Sequence, residues 1–184
     1  MSSTILTDRD ILALINGTPP LIEDYVDLEQ QVQPNGFDLT VREIHRFPEA
    51  GTLGFSNEER VIPDTHPLRP DVDGVYHLSP GPYRLIFNEL VNLPLDLTAV
   101  GYPRSSLMRV GVTVYSAVWD AGYRGRGSCL LVVHNPAGFR LRPNARVMQL
   151  MFTRLSGTVG EGYAGRYQGE HAGGPRTGPP GRPA

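Results

Sequence analysis

The sequence predicts an all-β domain, and three observations lead to this fold class. The 184-residue chain contains 21 glycines and 17 prolines, which divide it into short segments. Between these turns, apolar and polar residues alternate as they do in strands with one buried face. The helical period of the amino-terminal residues disappears after residue 33. Many short strands joined by close turns favour a β-barrel or sandwich over a parallel sheet covered by helices.

A single short helix is predicted near the amino terminus, over residues 7–16. Thr7 and Asp10 have the spacing of a capping box, and apolar residues follow at helical intervals. Gly17 and the prolines after it end the helix. Because a helix of this length cannot form a core alone, we expect it to pack against the β domain.

The predicted strands begin at residue 37, directly after the turn residues Pro34, Asn35 and Gly36. Residues 48–82, with proline and glycine at short intervals, are predicted to form an irregular excursion with one or two short strands. The strand-like runs cover residues 37–41, 74–78, 83–87, 97–102, 110–118, 129–134 and 145–153.

The chain is predicted to form one domain, residues 1–168, followed by a C-terminal tail, residues 169–184. The tail is rich in glycine and proline and contains no aliphatic side chain larger than that of alanine. Such a segment cannot bury enough apolar surface to offset the entropy of ordering it, so we expect it to be flexible.

The composition excludes several classes of function. A net charge of −2 provides no basic field for a nucleic acid or an anionic membrane. The chain has no run of about 18 apolar residues and no signal-peptide pattern. Cys129 is the only cysteine, so no intramolecular disulfide is possible, and the histidines lack metal-ligand spacing. We therefore expect a soluble cytoplasmic protein with no nucleic-acid or membrane partner and no metal site of its own side chains.

The first stretch with chemical character lies around residue 104. Arg104, Ser105, Ser106 and Arg109 place two guanidinium groups and two hydroxyls within six residues. Arginine offers planar pairs of donors and serine offers a hydroxyl, and together they suit a polyphosphate. The same residue types are common in capped turns and on solvated surfaces, so this pattern alone leaves both interpretations open.

A second stretch, residues 117–125, ends an apolar run with a carboxylate. Asp120 is followed at short distance by a glycine, Tyr123, a basic residue and another glycine. This order predicts a tight turn that holds a carboxylate beside an aromatic ring. In the alternative interpretation the segment is a hairpin, in which Asp120 caps the turn and Tyr123 packs against its neighbours.

Taken together and in order, five segments resemble the conserved motifs of the dUTPase/dCTP deaminase superfamily. The resemblance runs from about residue 5 to about residue 170. It implies a distorted jelly-roll β-barrel of the dUTPase-like (β-clip) type with a short N-terminal helix. It also implies a homotrimer with active sites at the subunit interfaces. The five segments are residues 33–39, 102–109, 118–125, 145–152 and 163–169.

The superfamily carries out two reactions, and one position distinguishes them. dCTP deaminases share a glutamate on the strand after the third motif, and this glutamate transfers protons during deamination. Counting from Asp120 places this position at Leu130, and a shifted register places it at Ser128 or Val132. No aspartate or glutamate occurs between Asp120 and Glu161. The missing carboxylate argues against deamination. Residues 103–106 and 119–123 resemble most those of the archaeal dUTPase branch, which implies hydrolysis of dUTP to dUMP and pyrophosphate. Such a reaction limits uracil incorporation into DNA and supplies dUMP for dTMP synthesis.

Two alternatives from other classes of activity stay open. One is a dCTP deaminase, or a bifunctional dCTP deaminase/dUTPase, whose acid comes from elsewhere, for instance from Glu161. The other is a catalytically idle trimer that binds nucleotides as a sensor. Ammonia release from dCTP would identify the first alternative, and dUTP binding without turnover would identify the second.

The resemblance also implies catalytic roles for individual residues. Asp120 would orient and deprotonate the water that attacks the α-phosphorus, and Arg104 would be the second catalytic residue. Mg²⁺ is the expected cofactor and would be held mainly by the triphosphate. Tyr123 would pack on the deoxyribose, where a ribose 2′-hydroxyl would clash.

The other substrate-binding residues are expected to fall into three groups. Main-chain groups of residues 116–118 would read uracil, further side chains would hold the phosphates, and the terminal motif would close over the site as a lid. The residues expected to read uracil are Ser116, Ala117 and Val118. Those expected to hold the phosphates are Ser105, Ser106, Arg109 and Gln149, and those of the lid are Tyr163, Arg166, Tyr167 and Gln168.

Overall fold

The computed structural model describes residues 4–173 and is mainly β-sheet, which confirms the predicted fold class. Within this range the strands are β1 (Thr4–Ile5), β2 (Ile22–Glu23), β3 (Val32–Gln33), β4 (Gly36–Arg46), β5 (His66–Pro67), β6 (Tyr76–Leu78), β7 (Gly81–Phe87), β8 (Leu90–Asn92), β9 (Leu97–Pro103), β10 (Val112–Tyr115), β11 (Arg124–Gly125), β12 (Ser128–Val133), β13 (Phe139–Leu141) and β14 (Arg146–Arg154). The helices are α1 (Asp8–Ile15), α2 (Leu28–Gln31) and α3 (Ser105–Arg109), and a 3₁₀ helix spans Asn57–Glu59.

The largest sheet follows the order β1-β14-β4-β7-β12-β10, and all of its neighbouring strands are antiparallel. Strand β9 pairs with β14 near one end of this order, yet it also contacts β10 at the other end. The sheet therefore curls back on itself, as a barrel requires. Two smaller sheets, β11-β8-β2 and β13-β6, complete the fold.

Strand β12 alternates buried and more exposed residues. Cys129, Leu131 and Val133 are buried, whereas Ser128, Leu130 and Val132 are more exposed. Because successive side chains in a strand point to opposite faces, β12 directs Leu131 and Val133 into the core and Leu130 toward the cavity.

The amino-terminal helix confirms the sequence prediction closely. The Thr7 side chain caps α1 by accepting a hydrogen bond from the backbone N–H of Asp10, and the Asp10 carboxylate accepts one from the backbone N–H of Thr7. The apolar side chains of Ile11 and Ile15 are buried against the sheet. The helix is thus held by packing on the β domain rather than by its own length.

The predicted strand over residues 110–118 is shorter in the structure. The chain forms α3 over residues 105–109, turns at Gly111 with a φ of 74°, and pairs as β10 only over residues 112–115. A positive φ is accessible to glycine because it lacks a Cβ atom. Residues 116–118 leave the sheet, which frees their main-chain groups from strand pairing.

The irregular excursion after β4 includes a two-residue bridge between Thr52 and Val61 and the 3₁₀ helix. No helix of the described residues is long and apolar enough to cross a membrane. Of the predicted tail, residues 169–173 are placed beside β11, and residues 174–184 lie outside the described residues.

Candidate active site

A cavity of about 560 Å³ opens between β12 and the loop that joins β10 to β11. The excursion after β4 forms one wall of this cavity through Phe47, Ile62, Pro63 and Thr65, and the C-terminal segment forms another. Seven of the residues predicted to bind substrate or to act in catalysis line it, namely Ser116, Ala117, Val118, Asp120, Tyr123, Tyr163 and Tyr167.

The carboxylate of Asp120 lies at the exposed rim of the cavity, at the start of a tight turn. The backbone N–H of Tyr123 donates to the carbonyl of Asp120 across 3.1 Å. Gly122 has a φ of 82°, and a Cβ there would lie 2.6 Å from the Cα of Gly162. The turn thus needs glycine at this position, and it presents the carboxylate and the ring on the same wall.

Three aromatic rings stack edge to face behind this turn. Trp119 and Tyr123 have ring centroids 5.3 Å apart at 89°, and Tyr123 and Tyr163 have centroids 5.7 Å apart at 67°. Gly127 leaves room for the Trp119 ring, which a Cβ there would overlap. Edge-to-face packing holds Tyr123 in a fixed orientation, as a platform for a sugar requires.

Residues 116–118, which precede Trp119 and Asp120 in the chain, also line the cavity. The Ser116 hydroxyl accepts a hydrogen bond from the indole N–H of Trp119 at 2.9 Å and donates to the carbonyl of Ala117 at 2.7 Å. These contacts orient a short extended segment whose Ala117 and Val118 side chains are exposed. Backbone donors and acceptors held in this way can pair with the edge of a planar base.

The C-terminal segment is tied to the turn by hydrogen bonds to its backbone. The Gln168 amide accepts from the N–H of Arg124 at 2.8 Å and donates to the carbonyl of Gly122 at 2.9 Å. The N–H of Gly169 donates to the carbonyl of Arg124 at 2.7 Å, and the N–H of Arg126 donates to the carbonyl of Glu170 at 2.9 Å. Gln168, predicted to bind substrate, therefore engages the turn of its own chain in this structure.

Glu170 lines the cavity, although the sequence analysis assigned it to the flexible tail. Its Oε1 accepts a hydrogen bond from the Tyr123 hydroxyl at 3.1 Å. Burial raises the pKa of the Glu170 carboxyl, and this effect outweighs the lowering caused by Tyr123 and by the charge on Arg84. Burial, followed by the charge and hydrogen bond of Glu170, also raises the pKa of Tyr123. An acidic residue within a glycine- and proline-rich tail was the only signal in the sequence for this contact.

Arg84, on β7, is a second cavity residue that the sequence analysis missed. Its Nε donates to the Ser128 hydroxyl at 3.2 Å, and its Nη2 lies 3.1 Å from Nε2 of His171 and 3.6 Å from the Glu170 carboxylate. Burial and the Arg84 charge lower the pKa of His171, which favours the neutral imidazole that can accept from Arg84.

The predicted phosphate cluster (Arg104, Ser105, Ser106, Arg109 and Gln149) lies apart from the cavity in this chain. Ser105 and Ser106 lie exposed on the first turn of α3, and Arg109 lies exposed on its last turn. None of Arg104, Ser105, Ser106, Arg109 and Gln149 lines the cavity that holds Asp120. The exposed Arg166 lies outside the cavity as well.

Asp38 pairs with Arg104 of the predicted phosphate cluster, and the sequence analysis gave Asp38 no role. Its carboxylate is 1% exposed and lies 2.9 Å from Nε of Arg104 and 3.5 Å from Nη1 of Arg146. On β14, Gln149 pairs with Asp38 on one side and with Tyr102 on the other. Burial raises the pKa of Asp38, and the two arginines oppose this effect.

The strand after the third motif brings no carboxylate to the cavity. The side chains of β12 that line it are Ser128, Cys129 and Leu130, and Glu161 lies in a neighbouring depression that also borders Asp120 and Tyr163. Among the described residues, no three His, Cys, Asp or Glu side chains converge to hold a metal ion.

Comparison with known proteins decides the family. The dCTP deaminase-like family matches residues 5–155 of the chain. The chain belongs to this family. A family member from Methanosarcina mazei, described as a probable deoxyuridine 5′-triphosphate nucleotidohydrolase, is 52% identical over 91% of this chain and 98% of its own length. A relative from Archaeoglobus fulgidus with the same description is 48% identical over 91% of this chain and 97% of its own length.

A solved structure supports the same fold for this member of the dCTP deaminase-like family. The 2′-deoxycytidine 5′-triphosphate deaminase from Agrobacterium tumefaciens superimposes with a TM-score of 0.63 at 22% identity. The match covers 84% of this chain and 49% of that chain. At this identity the likeness concerns the fold alone, and it agrees with the curled antiparallel sheet described above.

Proposed function

We propose that this protein hydrolyses dUTP to dUMP and pyrophosphate. The observation that carries the proposal is the cavity wall in which the Asp120 carboxylate, the Tyr123 ring and the open backbone of residues 116–118 lie together. The two archaeal relatives, each matched over nearly its full length and described as probable dUTP nucleotidohydrolases, support this choice of substrate.

In the proposed reaction, Asp120 orients a water molecule and accepts its proton as it attacks the α-phosphorus. The carboxylate suits this role because it lies at the rim of the cavity, where both solvent and a phosphate can reach it. Tyr123, held by Trp119 and Tyr163, packs on the deoxyribose. A Mg²⁺ ion bound to the triphosphate would neutralise charge on the phosphate oxygens.

Arg104, Ser105, Ser106, Arg109 and Gln149 hold the phosphates in this proposal. The buried carboxylate of Asp38 orients the Arg104 guanidinium toward that task. Since these residues do not line the cavity of their own chain, we place them against the cavity of a second copy. The active site is then shared between subunits, and the resemblance to the superfamily supports a homotrimer.

An exposed apolar surface beside the phosphate cluster supports assembly. Val100 and Tyr102 on β9, Met108 and Val110 around α3, and Tyr115 at the end of β10 are 38–59% exposed. The elements that carry them adjoin, because β10 contacts both β9 and α3. Contiguous apolar surface of this kind is typical of subunit interfaces.

The test is pyrophosphate and ammonia release measured in parallel from dUTP and dCTP with Mg²⁺, with UTP as the control for the sugar. Pyrophosphate from dUTP, with little from UTP and no ammonia from dCTP, is the expected result. Ammonia from dCTP would instead assign a deaminase activity to the cavity. Binding of dUTP without release of either product would assign a binding role.

A further inference from the structure

The cavity has two chemically different ends, separated by the length of the Tyr123 side chain. At the backbone end, the N–H of Tyr123 bonds to the carbonyl of Asp120. At the hydroxyl end, Tyr123 bonds to Glu170, whose other carboxylate oxygen lies 3.6 Å from Arg84. A nucleoside whose sugar packs on Tyr123 and whose phosphates lie near Asp120 therefore directs its base toward Arg84.

The Arg84 guanidinium is held in place on three sides. Ser128, Glu170 and His171 engage its Nε and Nη2 atoms. No described residue accepts a hydrogen bond from Nη1, and the side chain is 28% exposed where it borders the cavity. An oriented guanidinium with one unused pair of donors is suited to an acceptor on a ligand.

The strand beside Arg84 offers the base an apolar surface. Leu130 on β12 is the register partner of Arg84 on β7 and is 37% exposed toward the cavity. A pyrimidine ring can pack on Leu130 while its edge faces the guanidinium. Because packing on Leu130 is the same for all pyrimidines, discrimination between them at this wall would depend on the hydrogen bond to Arg84.

We propose that Arg84 selects uracil over cytosine by donating a hydrogen bond to O4 of the base. The two bases differ at C4, where uracil carries a carbonyl that only accepts and cytosine carries an amino group that donates. A guanidinium only donates, so uracil satisfies Arg84 and cytosine leaves two sets of donors facing each other. Sites built around a specific hydrogen bond reject analogues that cannot make it.

This inference rests on the proposed function, because it takes the cavity to be a deoxyuridine nucleotide site. It adds a side chain to the reading of the base, which the proposed function otherwise assigns to the backbone of residues 116–118. It also gives the C-terminal segment a role, since Glu170 and His171 complete the set of contacts that orient Arg84. Arg84 acts on the choice of base and leaves the attack on phosphorus to Asp120.

The test is the binding of dUMP and dCMP by calorimetry to the wild type and to Arg84→Gln, Arg84→Lys and Arg140→Gln. A glutamine amide both donates and accepts, so Arg84→Gln is expected to lower the preference for dUMP by about 10-fold or more. Lysine keeps the donors and is expected to keep most of the preference. Arg140 on β13 lies outside the cavity, and Arg140→Gln is the matched control.

Monophosphates separate this inference from the proposed function, because they contain no α–β bond to hydrolyse. A wild type that prefers dUMP but releases no pyrophosphate from dUTP would contradict the proposed function alone. Equal binding of dUMP and dCMP by the wild type, or an unchanged preference in a folded Arg84→Gln variant, would overturn the inference. If Arg84→Gln does not fold, Ser128→Ala removes the acceptor of the Arg84 Nε–H. It is then expected to reduce the preference about threefold, and no reduction would likewise overturn the inference.

Discussion

The hydroxyl of Tyr123 donates a hydrogen bond to the carboxylate of Glu170, 47 positions later in the chain. This bond joins the turn after the Asp120 carboxylate to the C-terminal segment. The same tyrosine ring is the proposed platform for the deoxyribose. Closure of the segment and packing of the sugar therefore depend on one side chain.

Breaking this bond is expected to loosen the C-terminal segment. Tyr123→Phe keeps the ring and its packing on Trp119 but removes the donor to Glu170. A net hydrogen bond of about 1 kcal/mol corresponds to about fivefold faster local opening. Hydrogen exchange at the amide of Gly169, which bonds to Arg124, measures this opening. Tyr83→Phe, which removes a hydroxyl bonded to Ser79 instead, is the control. Equal exchange rates in the two variants would show that the Glu170 contact does not hold the segment.

Replacing the proposed general base is expected to stop the reaction while keeping the site. Asp120→Asn preserves size and hydrogen bonding but cannot accept a proton at neutral pH, so the rate should fall by about 10²- to 10⁴-fold. Single-turnover pyrophosphate release from dUTP measures this fall, and calorimetry with dUMP checks that binding changes little. Asp73→Asn, at an exposed turn, is the matched control. An Asp120→Asn variant with near-normal turnover would require another base.

Local sequence patterns were sufficient for the elements whose signals are local. The capping box of Thr7 and Asp10 predicted the start of α1, and period-2 alternation predicted the core strands. The turn at Gly122 was predicted because its glycine and its neighbours are contiguous in the sequence. Short elements such as α3 were missed because five residues carry too little periodicity to distinguish a helix from a turn.

The composition of the cavity could not be predicted in the same way, because it depends on strand register and chain return. Arg84 reaches the cavity since β7 pairs with β12 and aligns it with Leu130. Glu170 reaches it since the backbone of the C-terminal segment bonds to Arg124 and Arg126. Contacts over such sequence distances leave no periodic pattern, and for this reason Asp38, paired with Arg104, was also missed.

A buried carboxyl outside the site is expected to make stability depend on pH. Glu89 is fully buried, and burial raises its pKa to about 7 despite hydrogen bonds from Thr40 and Gln31. The folded state then holds a proton that the unfolded state releases near pH 4.5. The contribution of neutral Glu89 to the free energy of unfolding is complete below pH 4.5. This contribution, on the order of 3 kcal/mol, is lost as the pH rises through about 7.

Urea unfolding between pH 4.5 and 8 measures this loss of stability. Glu89→Gln cannot titrate, so its free energy of unfolding is expected to fall less steeply over this range than that of the wild type. Glu49→Gln changes an exposed side chain and is the control. Parallel pH profiles for the wild type and Glu89→Gln would mean that Glu89 is ionised throughout.

The proposed sharing of the active site between subunits predicts that two inactive variants restore each other. Asp120→Asn keeps the phosphate cluster, and Arg104→Gln keeps the cavity, so each pure variant should be inactive. If one subunit supplies Asp120 and its neighbour supplies Arg104, random mixing of equal amounts leaves about a quarter of the interfaces with both wild-type residues. Co-expression of the two variants, followed by pyrophosphate assay, should then recover about that fraction of activity. Co-expression of two copies of the Asp120→Asn variant is the control for assembly. No recovery in mixed assemblies would place Asp120 and Arg104 in the site of one chain, because every chain would then lack one of the two.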